Sequence, residues 1–320
     1  MHEFDWIARY FAPLSRGETG GLGLTDDVAL LTPPVGHCTV LTTDTLHEGV
    51  HFLAQTAPAL IAKKALRVNL SDLAAKGVKP HAYLLALSLG HDCNEPWIAQ
   101  FAAGLAEDQH AFGCHLIGGD TTRSLGPLSI TITMIGFAVP DQMLLRSGAK
   151  VGDTLYVSGT IGDAALGLQL LQQPSVKPMV TPQESNHLIS RYHLPQPRVA
   201  LGQALVGIAT ASMDISDGLV QDLEHLCRCS GVGAELQIDG IPTFGNTPSD
   251  HEKAVLATSG DDYELLFTAP ATHAARLQTL ARTLNLAITA IGHITPQEGV
   301  RVYDGQQKLI TLEKKGYQHL

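Results

Sequence analysis

The sequence predicts a two-domain α/β protein, and three features of the chain support this. Segments rich in β-branched residues, beginning with Thr39–Thr43, alternate with stretches whose apolar residues recur at helical spacing. The alternation restarts after a polar, glycine-containing segment, Arg146–Asp153. The 320 residues, 44% hydrophobic and 16% charged, suffice for two compact domains. We therefore expect one domain over residues 1–150 and another over 151–320.

The first half predicts the order β-α-β-α-β-β. Leu66, Leu70 and Leu73 recur at helical spacing before Gly77, and Asp72 lies on a different stripe of the same helix. The acidic pair Asp26-Asp27 leads into a further short apolar segment that we interpret as a strand. The remaining predicted elements are a strand ending at Asp44, a helix from Pro58, a strand over Tyr83–Leu89, a helix from Asn94, a short strand ending at Asp120 and a strand over Leu128–Val139.

The second half contains a strand over Thr154–Ser158, followed by a helix that opens near Asp163. A later helix begins at Leu219 after the segment Asp214-Ile-Ser-Asp217-Gly, and Gly231 stands beyond its end. Another strand follows Asp261 and Asp262. Aspartates therefore recur next to predicted strand ends, the positions at which α/β sheets bind ligands.

Composition excludes several classes of partner. The net charge is −10 and no Lys/Arg run interleaves with aromatic residues, so we expect no nucleic acid. The longest apolar stretch, Ile130–Val139, is too short to span a bilayer, so we expect no membrane association. The five scattered cysteines and the acidic N-terminus, which lacks the pattern of a signal peptide, favour the reducing cytoplasm.

One competing motif is the His47-Glu48-Gly49-Val50-His51 segment, which matches the H-E-x-x-H zinc signature. That chemistry needs a helix, yet Gly49 and β-branched Val50 disfavour one here. The longer zincin form also fails, because Ala54 and Ala57 replace its Gly and His. We therefore interpret His47 and Glu48 as solvated loop residues.

The aspartates carry the stronger signal. Oxygen ligands without cysteine favour Mg²⁺ or Mn²⁺ over zinc, and mutual repulsion among clustered carboxylates is offset when metal binds. Each acid alone also has a structural explanation, since Asp217 fits a helix N-cap and Asp44 or Asp120 fits a turn. As a group they predict magnesium ions around a polyphosphate. The acids in question are Asp27, Asp44, Asp72, Asp120, Asp214 and Asp217.

Phosphate binding must differ from that of common nucleotide enzymes. The chain contains neither the G-x-x-x-x-G-K-[ST] loop nor the protein-kinase motifs. We expect metals, the amides of Gly118 and Gly119, and the side chain of Arg146 to hold phosphate. Gly159-x-x-Gly162 is a weaker phosphate-loop signal that helix–strand packing explains equally well.

Several motifs together resemble the thiamine-monophosphate kinase family, with order and spacing that match from Ile7 to Tyr317. They are Thr-Asp-Asp27-Val-Ala-Leu-Leu, Thr42-Thr-Asp44, His51-Phe, Asn69-Leu-Ser-Asp72, Gly118-Gly-Asp120-Thr-Thr-Arg, Arg146-Ser-Gly-Ala-Lys, Asp214-Ile-Ser-Asp217-Gly-Leu and Asp262-Tyr-Glu-Leu.

The resemblance implies a PurM-like two-domain fold of the α/β (α+β) class. It implies that residues 1–150 bind ATP and Mg²⁺, and that the N-terminal sheets of two subunits join in a barrel, giving a homodimer. It also implies ATP-dependent phosphorylation of thiamine phosphate to thiamine diphosphate by direct phosphoryl transfer. A phosphate acceptor is already ionised, so we expect no protein nucleophile or general base.

Roles carry over by position within this resemblance. Thr25 replaces a usual Gly before the acidic pair, and Asp261 is one methylene shorter than the usual Glu, which bears on a direct substrate contact there. Thr42 replaces a frequent Ser but keeps the hydroxyl. The implied metal ligands are Asp27, Thr42, Thr43, Asp44, Asp72, Asp120, Asp214 and Asp217. The implied ATP contacts are Gly119, Asp120, Arg146 and Ser216. The implied thiamine-side contacts are His51, Asp261 and Tyr317.

Three alternative functions remain at this point, one of which is a non-catalytic nucleotide sensor that would bind ATP without turnover. Another PurM-like ATP-dependent synthetase would share the acids and differ in substrate. A magnesium-dependent phosphatase would use water as the acceptor and release phosphate from ATP without thiamine phosphate.

Overall fold

A computed structural model describes residues 3–173, 180–245 and 249–317. The chain divides into two compact units. Unit 1 comprises Met1–Leu73 and Val78–Asp141, and unit 2 comprises Ala74–Gly77 and Gln142–Leu320. Within the described ranges, no helix has the length and apolar character required to cross a membrane.

Unit 1 is built on a mixed four-stranded sheet in the order β1-β4-β2-β3. β2 and β3 are parallel, whereas the other neighbours are antiparallel. Short π- and 3₁₀-helical segments follow α1, at Ile7–Phe11, Ala12–Ser15 and Thr19–Leu24. The elements are α1 (Glu3–Trp6), β1 (Cys38–His47), α2 (Pro58–Ala75), β2 (Lys79–Leu89), α3 (Glu95–Phe112), β3 (His115–Arg123) and β4 (Ser129–Ala138).

The predicted order β-α-β-α-β-β is therefore confirmed, and local signals explain the helix limits. Asn94 caps α3 by accepting a hydrogen bond from the Trp97 N–H at 3.1 Å. Gly113 ends α3 in the left-handed conformation, and Gly77 has a φ of 70° just after α2. These ends follow from sequence because each cap uses residues within a few positions of the helix.

Two strands run further than predicted. Asp44 lies inside β1, because β1 pairs with β4 without interruption from Cys38 to His47. Asp120 likewise lies inside β3, whose pairing with β2 continues to Arg123. The prediction that these acids end their strands was wrong, since pairing with a neighbouring strand outweighs the low strand propensity of aspartate.

The predicted strand after Asp27 was also wrong, because residues 28–37 form no strand. Ala29 and Leu31 instead pack against a small cluster of Ala82, Ile117 and Ile135 on the sheet. This segment covers part of the sheet face opposite α2 and α3.

Unit 2 is built on a mixed six-stranded sheet in the order β10-β7-β9-β5-β8-β6. β10 and β7 are parallel and the other neighbours are antiparallel. Its elements are β5 (Thr154–Ser158), α4 (Asp163–Gln172), α5 (Pro182–His193), α6 (Val199–Leu205), β6 (Ala211–Asp214), α7 (Leu219–Ser230), β7 (Gly233–Gln237), α8 (Asp250–Ala257), β8 (Leu265–Ala269), α9 (Ala274–Leu284), β9 (Ile288–Thr295) and β10 (Gly299–Tyr303).

Both faces of the second sheet are buried, and strand alternation shows how. In β8, Leu266 belongs to a core that includes the apolar face of α7, whereas Leu265 and Phe267 belong to a second core with residues of α6 and α9. The sheet is therefore a rigid layer that holds the loop between β6 and α7 in place.

Candidate functional site

A cleft of about 1180 Å³ in unit 1 gathers several predicted site residues. The N-terminal helical segments and the loop that carries Asp26 and Asp27 form one wall, while Gly118–Asp120 of β3 form the other. The volume is sufficient for a nucleotide-sized ligand. Asp27, Gly119 and Asp120 are thus brought to one place although more than 90 residues separate the two segments.

The acidic loop enters this cleft through a sharp turn. Leu22, Gly23 and Leu24 have φ values of 50°, 65° and 58°. Two leucines in the left-handed region are strained, and such strain concentrates at functional sites. Thr25 has an ordinary φ of −112°, and its hydroxyl donates to the Leu22 carbonyl oxygen at 2.8 Å. The position therefore does not require glycine, so Thr25 fits without backbone cost.

Close packing against β2 requires glycine at position 119. A Cβ atom at this position would lie 1.8 Å from the backbone oxygen of Leu85 in β2. Packing against β2 alone already requires glycine at 119, so the expected role of the Gly118 and Gly119 amides toward phosphate stays a prediction. Gly118 lines the cleft, and a Cβ there would meet only the side chain of Leu84, at 3.1 Å.

Strand alternation places the β1 residues on two faces. Thr42 donates its hydroxyl hydrogen to Asp72 of α2, and the backbone N–H of Asp44 donates to the Asn69 side chain at 3.1 Å. Thr43 points to the other face, where its hydroxyl accepts from Thr133 at 3.1 Å. Asp120 shares that other face, because it is in register with Thr45 across the sheet. The Thr42–Asp72 pair and the Thr43 side therefore form separate groups.

The H-E-x-x-H segment is not helical, since His47 ends β1 and a turn follows it. The Nδ1 atom of His51 accepts a hydrogen bond from the His47 backbone N–H at 2.9 Å. An accepting Nδ1 assigns the ring proton to Nε2, so His51 is a neutral ring with Nε2–H as a donor. Glu48 is half-buried and accepts from the Leu128 N–H at 3.2 Å, so its interpretation as a solvated loop residue was wrong.

In unit 2, Asp214 is the last residue of β6 and is 5% exposed. Ser216 and Asp217 follow in the loop before α7. Gly218, rather than Asp217, is the N-cap of α7, so the alternative reading of Asp217 as an N-cap is wrong. The predicted acid at a strand end is confirmed at Asp214.

Buried Asp222 holds this loop in shape. Its Oδ2 atom accepts the backbone N–H groups of Ser216, Asp217 and Gly218, each at 3.1 Å. Burial, followed by the neighbouring charges of Asp214 and Asp217, raises the pKa of Asp222 to about 8, against the opposing effect of the amide donors. A single carboxyl group thus fixes three successive residues of the predicted metal and ATP loop.

Two remote segments attach to the same loop. The Asp261 N–H donates to the Ser216 carbonyl oxygen at 2.8 Å, and the Tyr317 N–H donates to the Asp217 carbonyl oxygen at 2.9 Å. Gly260 and Gly316 permit these approaches, because a Cβ atom would lie 2.4 Å from the Ser216 oxygen or 2.6 Å from the Gln221 side chain. The structure therefore brings the predicted thiamine-side residues Asp261 and Tyr317 to Ser216 and Asp217.

The turn at Asp261 rests on buried charges. Asp261 and Tyr263 have φ values of 71° and 51°, which non-glycine residues seldom adopt. Glu264 accepts hydrogen bonds from Arg191 at 2.8 Å and from Arg198 Nε at 2.7 Å. Asp262 accepts the Gly162 N–H at 2.9 Å, and burial raises its pKa. These contacts of Asp262 and Glu264 stabilise the strained turn.

Arg146 lies elsewhere in unit 2. It is exposed, and its carbonyl oxygen accepts from the hydroxyl of Ser230 at 3.2 Å. Ser230 is the last residue of α7, whereas Ser216 precedes the first turn. The 12-residue helix is about 18 Å long. The Ser212 N–H of β6 also donates to the Leu145 carbonyl oxygen at 2.8 Å, so the Arg146 segment contacts both the end of α7 and the strand that leads to Ser216.

The donor chemistry fits magnesium. Among the described residues, no group of three His, Cys, Asp or Glu side chains is arranged to hold a metal ion on its own. Mg²⁺ in nucleotide enzymes needs only one or two carboxylates together with substrate phosphates and water. The oxygen pair formed by Thr42 and Asp72 matches that requirement. Convergence of all six aspartates stays a prediction.

Sequence reasoning missed Gln221 and Asp222. Both lie in the first turns of α7, where polar residues are common, and their partners lie outside the helix. The only local signal was a carboxylate near a helix N-terminus.

Residues 25–138 match the family model described as AIR synthase related protein, N-terminal domain, and residues 150–305 match the corresponding C-terminal domain. These two matches and the two mixed sheets define the class of the protein: it is an AIR synthase related, PurM-like protein with both domains.

Three relatives narrow the class. The chain is 41% identical to thiamine-monophosphate kinase of Escherichia coli (strain K12), over 99% of this chain and 98% of the relative. It is 41% identical to the crystal structure of thiamine-monophosphate kinase from Stenotrophomonas maltophilia K279a, with a TM-score of 0.81 over 87% and 89% of the two chains. It is 33% identical to AaThiL complexed with AMPPCP and TMP, with a TM-score of 0.77 over 90% and 89%. The chain belongs to the thiamine-monophosphate kinase family.

Proposed function

We propose that this protein transfers the γ-phosphoryl group of ATP to the phosphate of thiamine phosphate, giving ADP and thiamine diphosphate. The observation that carries the proposal is the set of hydrogen bonds joining the Asp214–Asp217 loop to Asp261 and Tyr317. Residues from three remote parts of the sequence, with implied roles toward metal, ATP and thiamine, meet in that one place. Full-length similarity to the kinases named above supports the same reaction.

Direct transfer asks the protein to align two phosphates and to offset their charge. His51 presents an Nε2–H donor, which suits an acceptor phosphate that is already ionised. Tyr317, with a side chain 48% exposed, offers a ring that suits the thiamine cation. Gly119 and Asp120 line the cleft in unit 1, and Ser216 lies in the clamped loop of unit 2, where we propose they contact ATP. Arg146 is proposed to contact phosphate through its long side chain.

Bound magnesium would supply charge neutralisation between the polyphosphate of ATP and the phosphate of the acceptor. The chain's own contribution is a set of fixed oxygen atoms, of which Thr42, Asp72 and Asp217 are already oriented by hydrogen bonds. The residues proposed to hold it are Asp27, Thr42, Thr43, Asp44, Asp72, Asp120, Asp214 and Asp217.

The decisive assay combines purified protein, ATP, MgCl₂ and thiamine phosphate, with products separated by chromatography. We expect ADP and thiamine diphosphate in equal amounts. Thiamine phosphate is omitted as a control: phosphate release from ATP at the full rate would indicate the phosphatase alternative. ATP consumption with a different acceptor only would indicate another PurM-like synthetase.

Asp44→Asn tests the metal assignment. Loss of one carboxylate charge should lower kcat by about 100-fold or more, because a metal contributes several kcal/mol of charge stabilisation. The backbone hydrogen bond from Asp44 to Asn69 survives the change, so circular dichroism and the melting temperature should match the wild type. Undiminished turnover at limiting Mg²⁺ would remove Asp44 from the metal ligands.

We also propose a homodimer formed through the open face of the unit 1 sheet, which is the face opposite α2 and α3. We further propose a cytoplasmic location. Leu41 and Leu84 are 62% and 36% exposed on that face, and exposed apolar strands commonly pair with another chain. All five cysteines are free thiols, which suits a reducing compartment. Residues 1–150 are proposed as the ATP, magnesium and dimerisation domain and residues 151–320 as the second domain.

A further inference from the structure

Gln221 joins the metal side and the thiamine side of the proposed site. Its side-chain nitrogen, Nε2, donates to Oδ2 of Asp217 at 3.1 Å and to the backbone oxygen of Tyr317 at 2.9 Å. An amide nitrogen carries two hydrogens, so both bonds use the full donor capacity of this group. The role implied for Asp217 is toward metal, and the role implied for Tyr317 is toward thiamine.

Residues Lys315–Tyr317, which we term the C-terminal strap, are held against α7 at three further points. The Gln221 backbone N–H, unpaired within the first helical turn, donates to the Lys315 carbonyl oxygen at 3.0 Å. Gly316 packs on the Gln221 side chain, and Lys315 forms an ion pair with Glu224 at 2.6 Å. Gln221 is therefore the residue of α7 that contacts each position of the strap.

The chemistry of this contact is specific to an amide. A glutamate would match the shape but would donate no hydrogen bond, and its charge would repel Asp217. A leucine would keep the packing on Gly316 and lose both bonds. The same Nε2 atom of Gln221 binds Oδ2 of Asp217 and the backbone oxygen of Tyr317. A movement of the Asp217 carboxylate on binding metal would therefore move the strap through Gln221.

We propose that Gln221 is a positioning residue that couples metal–nucleotide binding at Asp217 to the seating of Tyr317. This inference rests on the proposed function. Coupling between two ligands is reciprocal, so magnesium–nucleotide and thiamine phosphate should each tighten binding of the other. The coupling disappears when the donor hydrogens of Gln221 are removed.

Hydrogen–deuterium exchange of peptides covering the strap tests the physical link without turnover. In the ligand-free protein, Gln221→Leu and Gln221→Glu should exchange the strap amides about tenfold faster than the wild type. Mg²⁺ with AMPPCP should slow strap exchange in the wild type and leave both variants unchanged. Gln278→Leu, at an exposed position of α9, is the matched control and should behave as the wild type. Equal strap exchange in wild type and both Gln221 variants would overturn the proposal.

Calorimetry supplies the second measurement. The Kd of thiamine phosphate in the wild type should fall about tenfold when Mg²⁺ and AMPPCP are present, and the ratio should approach one in Gln221→Leu. A purely structural role would change both Kd values together and keep their ratio, which would overturn the proposal. Wild-type protein that shows strap protection but forms no thiamine diphosphate would instead contradict the proposed function.

Discussion

Thr42 and Asp72 illustrate how single residues shape the proposed metal site. The hydroxyl of Thr42 donates to one oxygen of Asp72, so the carboxylate of α2 is held toward β1. Hydrogen bonds to charged groups are among the stronger ones in proteins. The hydroxyl, rather than the methyl group of Thr42, is therefore the functional part of the side chain.

Thr42→Val and Thr42→Ser separate these two parts. Valine keeps the shape but removes the donor, so kcat at limiting Mg²⁺ should fall by about tenfold to 100-fold. Serine keeps the hydroxyl and should stay within about twofold of the wild type by the same reasoning. Steady-state rates over a magnesium titration provide the measurement. Full activity in Thr42→Val, or a loss confined to Thr42→Ser, would show that the methyl group, and not the hydroxyl, matters.

The cysteines allow a second test at this scale. Burial raises the pKa of the Cys114 and Cys227 thiols to about 12, and it raises the pKa of Cys93 as well. Cys229 is exposed and Cys38 is half-buried. The thiolate reacts, so iodoacetamide at pH 8 should modify Cys229 first and leave the three buried thiols intact until the protein unfolds.

Peptide mass spectrometry with and without denaturant identifies the alkylated cysteines. A Cys229→Ser variant is the control, since it should abolish the fast phase. Fast alkylation of Cys114 in the native protein would contradict the buried environment described for β3 and α3.

At the scale of one element, the start of α7 combines three structural features. Asp222 binds the three preceding amides, Gln221 binds the C-terminal strap, and Gly218 provides the N-cap with a φ of 131°. Helix N-termini carry unpaired N–H groups that attract negative charge. Here an internal carboxyl group satisfies the loop amides, so the loop shape is set before any ligand binds.

Asp222 should make stability depend on pH. Its pKa is raised to about 8, while an aspartate in the unfolded chain titrates near pH 4. Between these values the native protein keeps a proton that the unfolded chain has lost, so the free energy of unfolding decreases as pH rises from about 4 to about 8. The neutral variant Asp222→Asn should remove this contribution.

Thermal unfolding at pH 5 and pH 8 measures the effect. The melting temperature of the wild type should fall more between these values than that of Asp222→Asn. Asp141→Asn, at an exposed position, is the control and should follow the wild type. Parallel curves for all three proteins would show that Asp222 is ionised in the native state throughout this range.

At the scale of the whole molecule, each unit carries its own group of predicted site residues. Unit 1 supplies the cleft lined by Asp27 and Asp120, together with the Thr42–Asp72 pair on β1 and α2. Unit 2 supplies the clamped loop with Asp217, Asp261 and Tyr317. The matches to the two AIR synthase related domains cover all of these segments except Tyr317.

A charged residue introduced on the open face of the unit 1 sheet tests the proposed dimer. Leu41→Lys places an ammonium group on an exposed apolar position of β1, and analytical ultracentrifugation should show a monomer where the wild type is a dimer. Val151→Lys, at a 55% exposed position of unit 2, should stay dimeric. A monomeric wild type, or a dimer in both variants, would rule out this face as the interface.

The sequence by itself determined the order β-α-β-α-β-β of the first half and helix limits such as those at Asn94 and Gly113, because such caps act within a few residues. It also predicted the acids, and the full set of motifs identified the family. Only the tertiary structure decided that β1 and β3 continue through Asp44 and Asp120, since strand pairing with β4 and β2 has no local signature. The same holds for the hydrogen bond from Gln221 to Tyr317, because these residues are 96 positions apart and their contact depends on where the folded chain returns.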